Sequence, residues 1–321
     1  MKAIQISETG GHEVLIYKEV EEPKLSDCQA LLDIKAIGVN YTDVYTRTGM
    51  TPSELPVIPG VEAAGIVLRT GNGVTEVTEG DLVSYTGAMG SYAERAVVPS
   101  WRLVKVPDGL SAESSAAAML QGSTAHYLSH TIYPIGEGDT CLVHAGAGGV
   151  GLLLIQMAKT SGGRVIATVS TDEKATLAKE AGADHVIIYS REDFLSRVMQ
   201  ITDNKGLEVV YDAVGATTFE QSIGCLKQRG IMVLYGQASG HVPPISPSIL
   251  NPKSLFLTRP SLAAYTSTRD ELLMRANDVL GWVKTQTLHL RIHDQYNLKD
   301  AAEAHRQLEG RLTTGKLLLI P

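Results

Sequence analysis

The feature that most constrains the fold is a glycine-rich turn between a buried strand and an apolar helix, in the stretch CLVHAGAGGVGLLLIQMAK of residues 141–159. Gly146, Gly148 and Gly151 have the spacing Gly-x-Gly-x-x-Gly at the point where the strand ends and the helix begins. Glycine suits this turn because it is tight, because a diphosphate must approach bare backbone, and because the helix must lie close to its strand. The stretch therefore predicts a dinucleotide-binding unit. Its predicted cofactor contacts come from Gly146, Gly148, Gly149, Val150 and Gly151.

The same stretch has a second interpretation as a membrane helix. Residues 141–158 contain no formally charged side chain and approach the shortest length of such a helix. Glycine and alanine cluster in the first half, however, where a membrane span needs a continuous helix. Glu137, Asp139 and Lys159 also lie close to either end. The pattern therefore favours a strand, loop and helix of a soluble protein.

The order of predicted elements divides the chain into three parts. Residues 1–120 contain short alternating strands separated by Gly and Pro, for example 30–37, 64–68 and 81–85. In residues 121–257 strands alternate with helices: strands at 140–144, 165–169, 185–188, 209–212 and 231–235, and helices at 150–161 and 172–181. Residues 258–321 contain two helical stretches and a last strand, at 268–285, 298–309 and 316–320. The middle part predicts an α/β fold with a doubly wound parallel sheet of the Rossmann type.

The composition limits the partners. A chain of 321 residues with 44% hydrophobic and 20% charged residues is long enough for two domains. Its 28 basic and 35 acidic residues give a net charge of −7 without a basic run, which disfavours nucleic acid and anionic membranes and fits a small uncharged substrate. The first eight residues, MKAIQISE, reach an acid before any apolar run, so we expect neither a secretory signal nor a membrane anchor, and a cytoplasmic protein.

The end of the strand at 165–169 predicts which dinucleotide binds. A site for NAD normally has Asp or Glu there, about twenty residues after the glycines, to accept hydrogen bonds from the ribose. This chain has no acid at that point, and we expect Asp172, which follows shortly, to cap the next helix. Ser170, Lys174 and Tyr189 can instead donate hydrogen bonds to a phosphate on the ribose. The sequence therefore predicts NADPH.

Six motifs spread from one end of the chain to the other carry a resemblance to a known family. They are GVNYTDVYTRTG (38–49), PGVEAAG (59–65), HAGAGGVG (144–151), VYDAVG (210–215), LTRPSL (257–262) and GRLTTGKLLLIP (310–321). With these motifs the whole chain resembles the quinone oxidoreductase branch of the medium-chain dehydrogenase/reductase superfamily, the zeta-crystallin-like proteins. The resemblance implies a GroES-like, β-rich catalytic domain from residues 1–120 and 258–321. It also implies a Rossmann NADPH-binding domain from residues 121–257, and a cleft where the two domains meet.

The residues that hold zinc in similar proteins are missing. Zinc alcohol dehydrogenases carry a cysteine where this chain has Asn40, and Gly-His-Glu where it has GVE at 60–62. The three cysteines are scattered and cannot form a four-sulfur site, so we expect buried, inert thiols at Cys28, Cys141 and Cys225. Two histidine pairs at helical spacing lack a nearby carboxylate or thiol to complete a ligand set: His126 with His130, and His289 with His293. The sequence therefore predicts no metal site.

A nicotinamide cofactor without a metal favours a quinone as the acceptor. Quinone carbonyls are electrophilic and reduction makes the ring aromatic, so positioning matters more than acid catalysis. The resemblance implies that Asn40 and Tyr45 line the nicotinamide end of the cleft, with Asp43 and Arg47 nearby. It also implies cofactor contacts from Tyr127 beside the nicotinamide, Gly236 and Ser239 at its ribose, Ser261 and Leu262 at its carboxamide, and Arg311 at a phosphate.

Several of these residues have plain alternatives. Asn40 suits a turn, Tyr45 suits a packed aromatic position, and Arg311 suits an ordinary surface site. Asp212 fits a structural role at the end of its strand rather than a catalytic one.

Three functions stay open on the sequence alone. The first is a zinc-independent NADPH:quinone oxidoreductase. The second is an NADPH-dependent reductase of activated alkenes such as 2-alkenals or enones, with Tyr45 as a proton donor. Enoyl-thioester reductases of this superfamily carry a tyrosine where this chain has Thr51, which disfavours acyl thioesters. The third is a non-enzymatic NADPH-binding protein. The resemblance also implies a homodimer, with edge strands near 254–258 pairing.

Overall fold

The computed structural model describes all 321 residues and divides them into two compact units. The first unit comprises Met1–Ser123 and Thr266–Pro321, and the second comprises Thr124–Tyr265. The elements up to the second unit are β1 (Lys2–Gln5), β2 (Ile16–Glu19), β3 (Gln29–Val39), α1 (Tyr41–Thr48), β4 (Glu62–Thr70), β5 (Leu82–Thr86), β6 (Arg95–Pro99), β7 (Val104–Lys105) and α2 (Ala112–Tyr127). Helix α2 runs across the boundary and ends in a π-helical turn, Leu128–Ile132.

The second unit alternates strands and helices along its length. Its elements are β8 (Thr140–Val143), α3 (Gly149–Thr160), β9 (Arg164–Val169), α4 (Asp172–Glu180), β10 (His185–Ile188), α5 (Phe194–Ile201), β11 (Leu207–Asp212), α6 (Phe219–Cys225), β12 (Leu226–Leu234), β13 (Phe256–Thr258) and α7 (Leu262–Tyr265). The chain then returns to the first unit with α8 (Arg269–Lys284), β14 (Ile292–Asn297), α9 (Ala301–Glu309) and β15 (Lys316–Ile320).

The first unit is built on a seven-stranded, mostly antiparallel sheet. Its order is β14-β15-β3-β4-β5-β7, with β6 also paired to β3, while β1 and β2 form a separate two-stranded sheet. The last strand β15, KLLLI, is almost wholly buried because it lies between β14, which is parallel to it, and β3, which is antiparallel. Strand β3 is long and apolar, and its inward side chains Leu32, Ile34 and Ile37 belong to the main core of this unit. Residues from both ends of the chain therefore share one sheet.

The second unit is a doubly wound parallel sheet, which confirms the predicted fold class. Its strand order is β10-β9-β8-β11-β12-β13, and every pairing within it is parallel. Val, Ile and Leu fill these strands because a parallel sheet is covered on both faces. The order changes direction at β8, so the carboxyl ends of β8, β9 and β11 frame the point where such sheets bind ligands.

Two expectations about local structure are wrong, and the helical spacing of one histidine pair is not realised. Cys28 is exposed, in a turn where it adopts φ 58°, whereas Cys141 and Cys225 are buried as expected. Thr171, not Asp172, caps α4, because the Thr171 hydroxyl accepts the N–H of Lys174 at 3.3 Å. His289 and His293 do not share a helix, because the chain is extended there and enters β14.

The apolar helix after the glycine turn is short. Helix α3 has 12 residues, and none of the helices combines the length and the apolar character that crossing a membrane requires.

Candidate active site

The glycine turn leaves the start of α3 without a capping side chain. Helix α3 begins at Gly149, and its N-cap is Gly148 in an extended conformation, with φ −77° and ψ 171°. Its first turn contains no acidic residue. Helix α4, by contrast, is capped by Thr171 and has Asp172 and Glu173 in its first turn. The first N–H groups of α3 and the positive end of its dipole therefore suit an external anion such as a diphosphate.

The turn has no room for a side chain at two of its glycines, Gly146 and Gly151. A Cβ atom on Gly151 would lie 2.3 Å from the carbonyl oxygen of Ala145, and one on Gly146 would lie 2.8 Å from the Cβ of Ala167. Both contacts are closer than real Cβ atoms tolerate. These glycines let the helix pack on the turn and on β9, and they keep the backbone accessible to a phosphate group.

A buried hydrogen-bond chain supports the turn from below. The Nδ1 atom of His144, directly after β8, lies 2.8 Å from the hydroxyl of Thr168 in β9, and its Nε2 lies 2.9 Å from the hydroxyl of Ser222 in α6. Ser222 donates to Asp212 at 3.3 Å, so His144 must donate from Nε2 and accept at Nδ1. Burial lowers the pKa of His144, which keeps the ring neutral as this arrangement requires.

Asp212 organises the carboxyl end of β11, as the sequence predicted. Its Oδ1 accepts the N–H groups of Val214 and Gly215 at 2.7 and 3.0 Å, and its Oδ2 accepts the hydroxyl of Thr218 at 2.7 Å. These donors, together with the hydroxyl of Ser222, all lie within residues 214–222. The aspartate shapes the turn after β11 and links it to α6.

The predicted phosphate-binding residues come together where β9 and β10 end. The N–H of Tyr189 donates to the carbonyl of Val169 at 3.1 Å, and the hydroxyl of Ser190 donates to the carbonyl of Ser170 at 3.0 Å. Lys174 lies in the first turn of α4, just after Ser170. The phenol of Tyr189 is 42% exposed and so is accessible to a ligand. No carboxylate occupies the end of β9 itself.

The other predicted cofactor residues of the second unit lie on three separate segments. Tyr127, at the end of α2, stacks on Tyr265, with ring centroids 4.5 Å apart and planes within 5° of each other. Burial raises the pKa of the Tyr127 phenol, so it stays protonated. Ser239 donates to the carbonyl of Val214 at 2.8 Å and accepts the N–H of Thr217 at 3.1 Å. The remaining three are Gly236, packed against Ala213, and Ser261 and Leu262, at the start of α7.

In the first unit, Asn40 belongs to a buried ionic cluster. The ammonium of Lys316 donates to Oδ1 of Asn40 at 2.8 Å and to Oε2 of Glu62 at 2.5 Å. The side-chain amide of Asn40 donates to the same Oε2 at 2.8 Å and to the carbonyl of Gly38 at 3.1 Å. The second carboxylate oxygen of Glu62 accepts the N–H of Leu120 at 2.5 Å. Lys316 and Glu62 are 2% and 0% exposed, so the pair excludes water.

This cluster fixes the polarity of the Asn40 side chain. An ammonium only donates and a carboxylate only accepts, so Oδ1 must face Lys316 and Nδ2 must face Glu62. Both amide hydrogens are then used, and one lone pair of Oδ1 remains. Asn40 can therefore accept a hydrogen bond from a ligand, but it has no N–H to offer to a substrate oxygen.

Asp43 and Arg47 lie on α1 in a second buried network. One oxygen of Asp43 accepts the backbone N–H of Asn40 and the hydroxyl of Tyr92, both at 2.9 Å. Tyr92 in turn accepts from Nε2 of His305 at 3.0 Å. Nδ1 of His305 lies 3.3 Å from a guanidinium nitrogen of Arg47, which can only donate. Burial, reinforced by Arg47, lowers the pKa of His305 to about 3, so the ring is neutral.

The outer end of this network is a bidentate ion pair. The guanidinium of Arg47 donates to both oxygens of Glu309, at 2.8 and 2.9 Å, and also to the carbonyl of Gly10 at 3.2 Å. His12 completes the group 2.6 Å from Glu309. Arg47 is buried and anchors α1 to α9. Its contacts in this structure are therefore structural ones. Asp43, at the inner end, holds the backbone of Asn40.

Two further predicted residues lie nearer the surface of the first unit. Tyr45, on α1, is half-buried, with its ring tilted 45° to that of Tyr41 at a centroid distance of 6.2 Å. Arg311 is exposed in the turn after α9, at φ 55°.

The partners of Asn40, Asp43 and Arg47 were not predicted from the sequence. Glu62 and Lys316 carry charges inside buried strands, and that placement was the available signal. Tyr92, His305 and Glu309 gave no comparable signal, because each is far from Asn40 along the chain. Across the whole chain, no group of three or more His, Cys, Asp or Glu side chains is placed to hold a metal ion.

We predict that Asp43 makes stability depend on pH. Burial raises its pKa from the ordinary 3.8 to about 7, outweighing the bonds from Asn40 and Tyr92 and the charge of Lys316, while Glu62 adds to the rise. Because the folded pKa is above the unfolded one, its stabilising contribution is present at low pH and is lost as the pH rises through about 7. Asp43→Asn stays neutral. From about pH 5 to about pH 8, the wild-type free energy of unfolding should therefore fall by about 2–3 kcal/mol relative to this variant.

Urea titrations at several pH values measure this difference. Asp33→Asn, at an exposed carboxylate on β3, is the matched control and should follow the wild type. Parallel pH profiles for the wild type and Asp43→Asn would contradict the prediction.

Comparison with known proteins agrees with both units. Residues 26–108 match the family described as "Alcohol dehydrogenase GroES-like domain", and residues 149–279 match the one described as "Zinc-binding dehydrogenase". The chain is 41% identical over 323 residues to the quinone oxidoreductase of Pseudomonas aeruginosa, covering 100% of this chain and 99% of that protein. It is 38% identical to the 2-haloacrylate reductase of a Burkholderia species, covering 99% and 98%.

A solved structure extends the comparison to three dimensions. The crystal structure of Escherichia coli quinone oxidoreductase complexed with NADPH has a TM-score of 0.98 and 40% sequence identity, and the match covers 100% of both chains. The chain therefore belongs to the quinone oxidoreductases of the medium-chain dehydrogenase/reductase superfamily.

Proposed function

We propose that this protein is a zinc-independent NADPH:quinone oxidoreductase. The observation that carries the proposal is its 41% identity, over its full length, to a quinone oxidoreductase. The NADPH complex of the similar Escherichia coli enzyme supports the choice of cofactor. The uncapped start of α3 and the acid-free end of β9 are the features of this chain that fit a phosphorylated dinucleotide.

The proposed cofactor contacts follow the carboxyl edge of the parallel sheet. The diphosphate binds the N–H groups of the turn from Gly146 to Gly151, and the 2′-phosphate binds Ser170, Lys174 and Tyr189. When bound, NADPH supplies the hydride. The nicotinamide half contacts Tyr127, Gly236, Ser239, Ser261 and Leu262. Arg311 donates to a phosphate oxygen.

The proposed substrate side depends on Asn40 and Tyr45. Because only the carbonyl oxygen of Asn40 is available, it accepts a hydrogen bond from a donor, such as an N–H of the carboxamide or a ribose hydroxyl. Asp43 positions Asn40 by holding its backbone, and Arg47 positions α1. Tyr45 lines the acceptor position. These residues orient the reactants, and positioning suffices for a quinone because its carbonyls are already electrophilic.

The second candidate is a reductase of activated alkenes. The specific observation in its favour is the 38% identity to a 2-haloacrylate reductase over nearly the whole chain. Such a reaction needs a proton at the α-carbon after hydride transfer, and the phenol of Tyr45 is the candidate donor. A quinone needs no protein acid, because water can protonate the reduced oxygen.

An assay with purified protein separates the functions. NADPH is mixed with 9,10-phenanthrenequinone or with trans-2-hexenal, and the loss of nicotinamide absorbance is followed. We expect rapid oxidation with the quinone. Oxidation with the alkenal alone would make the protein an alkene reductase, and oxidation with neither would favour a non-enzymatic NADPH-binding role.

The preference for NADPH should depend on Lys174. Lys174→Ala removes a cation from the 2′-phosphate and should raise the Kd for NADPH by about tenfold while changing that for NADH by less than about twofold. Nicotinamide fluorescence measures both constants. Lys179→Ala, at the other end of α4, is the matched control and should change neither. Equal losses for the two cofactors in Lys174→Ala would show that the phosphate is held elsewhere.

We further propose that the protein is a homodimer, and we keep the cytoplasmic location as a prediction. Strand β13 forms one edge of the parallel sheet, and two of its side chains, Phe256 and Leu257, are 59% and 36% exposed. An exposed apolar edge strand is a natural surface for pairing with a second copy.

Light scattering after gel filtration tests the dimer. The wild type should elute with twice the monomer mass, and Phe256→Asp should shift it towards the monomer because a charge then lies in the paired edge. Leu312→Asp places the same charge at another exposed apolar residue, 64% exposed in the first unit, and should leave the mass unchanged. A monomeric wild type would refute the dimer.

A further inference from the structure

An ion pair lies next to the proposed 2′-phosphate site. Asp172 is the first residue of α4, two positions after Ser170 and two before Lys174. Its carboxylate accepts two hydrogen bonds from the guanidinium of Arg191, at 2.9 and 2.5 Å. Asp172 and Arg191 are 70% and 61% exposed, so neither is needed to fill the core.

The sheet brings this pair to the site. Strands β9 and β10 are parallel neighbours, with Val169 opposite Ile188. The segments that follow them stay in contact through the bond from Ser190 to the carbonyl of Ser170. Arg191 lies in the turn after β10, where its backbone N–H donates to the carbonyl of Ile188 at 2.9 Å. The guanidinium therefore crosses from the segment of Tyr189 to the segment of Ser170 and Lys174.

The charge of Asp172 opposes the proposed cofactor. A carboxylate near this point accepts hydrogen bonds from a free ribose hydroxyl and repels a phosphate, so an unpaired Asp172 would favour NADH. The hydrogen bonds from Arg191 lower the pKa of Asp172, so the carboxylate is ionised at neutral pH and the guanidinium compensates its charge. The bidentate geometry also holds both of its oxygens on Arg191.

We propose that Arg191 is a specificity-determining residue that enforces the preference for NADPH by neutralising Asp172 and holding its carboxylate beside the 2′-phosphate site. This inference rests on the proposed function, because it assumes that the phosphate binds Ser170, Lys174 and Tyr189. This proposal differs from a direct contact between Arg191 and the phosphate. In the proposed arrangement Arg191 affects NADPH binding only while Asp172 carries its charge, whereas a direct contact would act without Asp172.

A double-mutant cycle tests the dependence. The Kd values for NADPH and NADH are measured by nicotinamide fluorescence at low ionic strength for the wild type, Arg191→Ala, Asp172→Asn and the double variant. Arg191→Ala should weaken NADPH by about fivefold, the effect of one uncompensated charge near the phosphate, and should leave NADH unchanged or tighter. The double variant should return to within about twofold of the wild type. The loss in Arg191→Ala should shrink as salt is added.

A neighbouring arginine provides the control. Arg197 pairs with Glu192 at 3.5 Å, on α5 and the loop before it, so Arg197→Ala removes the same charge from a nearby exposed ion pair. It should leave both Kd values within about twofold of the wild type. Thermal melts should be similar for all the variants, because the two pairs are exposed.

Two outcomes would overturn the inference. If the double variant binds NADPH as weakly as Arg191→Ala, Arg191 acts on the phosphate directly. If Arg191→Ala retains the wild-type affinities, the pair has no role in specificity; in either case the proposed function stands, since the wild type still prefers NADPH. A wild type with no preference for NADPH would instead overturn the proposed cofactor and this inference together.

Discussion

The buried pair of Lys316 and Glu62 is the interaction that fixes Asn40, the residue that we propose to lie on the substrate side. Taking a carboxylate and an ammonium out of water costs several kcal/mol per ion, and well-packed apolar residues would often be at least as stable. The pair nonetheless joins the last strand of the chain to β4 and to the start of α1, and its charges leave one arrangement for the amide of Asn40. Neutral hydroxyl partners can both donate and accept, so they would allow the amide to flip. Lys316 only donates and Glu62 only accepts, so the amide cannot flip here. Burying this ion pair costs stability, and its structural consequence is that the amide of Asn40 is fixed in one orientation.

A carboxylate also fixes hydrogen-bond polarity in the second unit, there through hydroxyls and a neutral imidazole. His144 connects the ends of β8, β9 and α6 through two hydroxyls, and Asp212 sets the direction of the chain by accepting from Ser222. In both units a carboxylate that can only accept fixes the donors around it. Rigid supports of this kind suit a reaction in which the protein contributes position, because an error of about 1 Å in a reacting pair can cost about a hundredfold in rate.

The sequence predicted the parts of the molecule whose signals are local. Three signals each lie within a few residues: the glycine spacing, the alternation of strands and helices, and the missing acid at the end of β9. The alternation predicted the doubly wound sheet that the structure shows. The prediction of Asp172 as helix cap was wrong because the neighbouring Thr171 is also a good cap and only the backbone decides between them. The clusters around Asn40 and Asp43 could not be predicted, because their members lie up to 297 positions apart and meet only when both chain ends enter one unit.

Exposure separates residues that can change from residues that cannot. Around Asn40, the charges of Lys316 and Glu62 are buried against each other, so replacing one leaves the other unpaired in the interior, at a cost of about 3–5 kcal/mol. Around Ser170 and Lys174 the neighbouring charges are exposed. The negative charge of Asp172 is balanced there by a single positive charge, that of Arg191. If the 2′-phosphate binds there as proposed, mutations of these charges should alter its binding by modest electrostatic amounts and leave the core intact. Choice of cofactor can therefore vary through surface charges, while the geometry at Asn40 is maintained by the requirement that the protein fold.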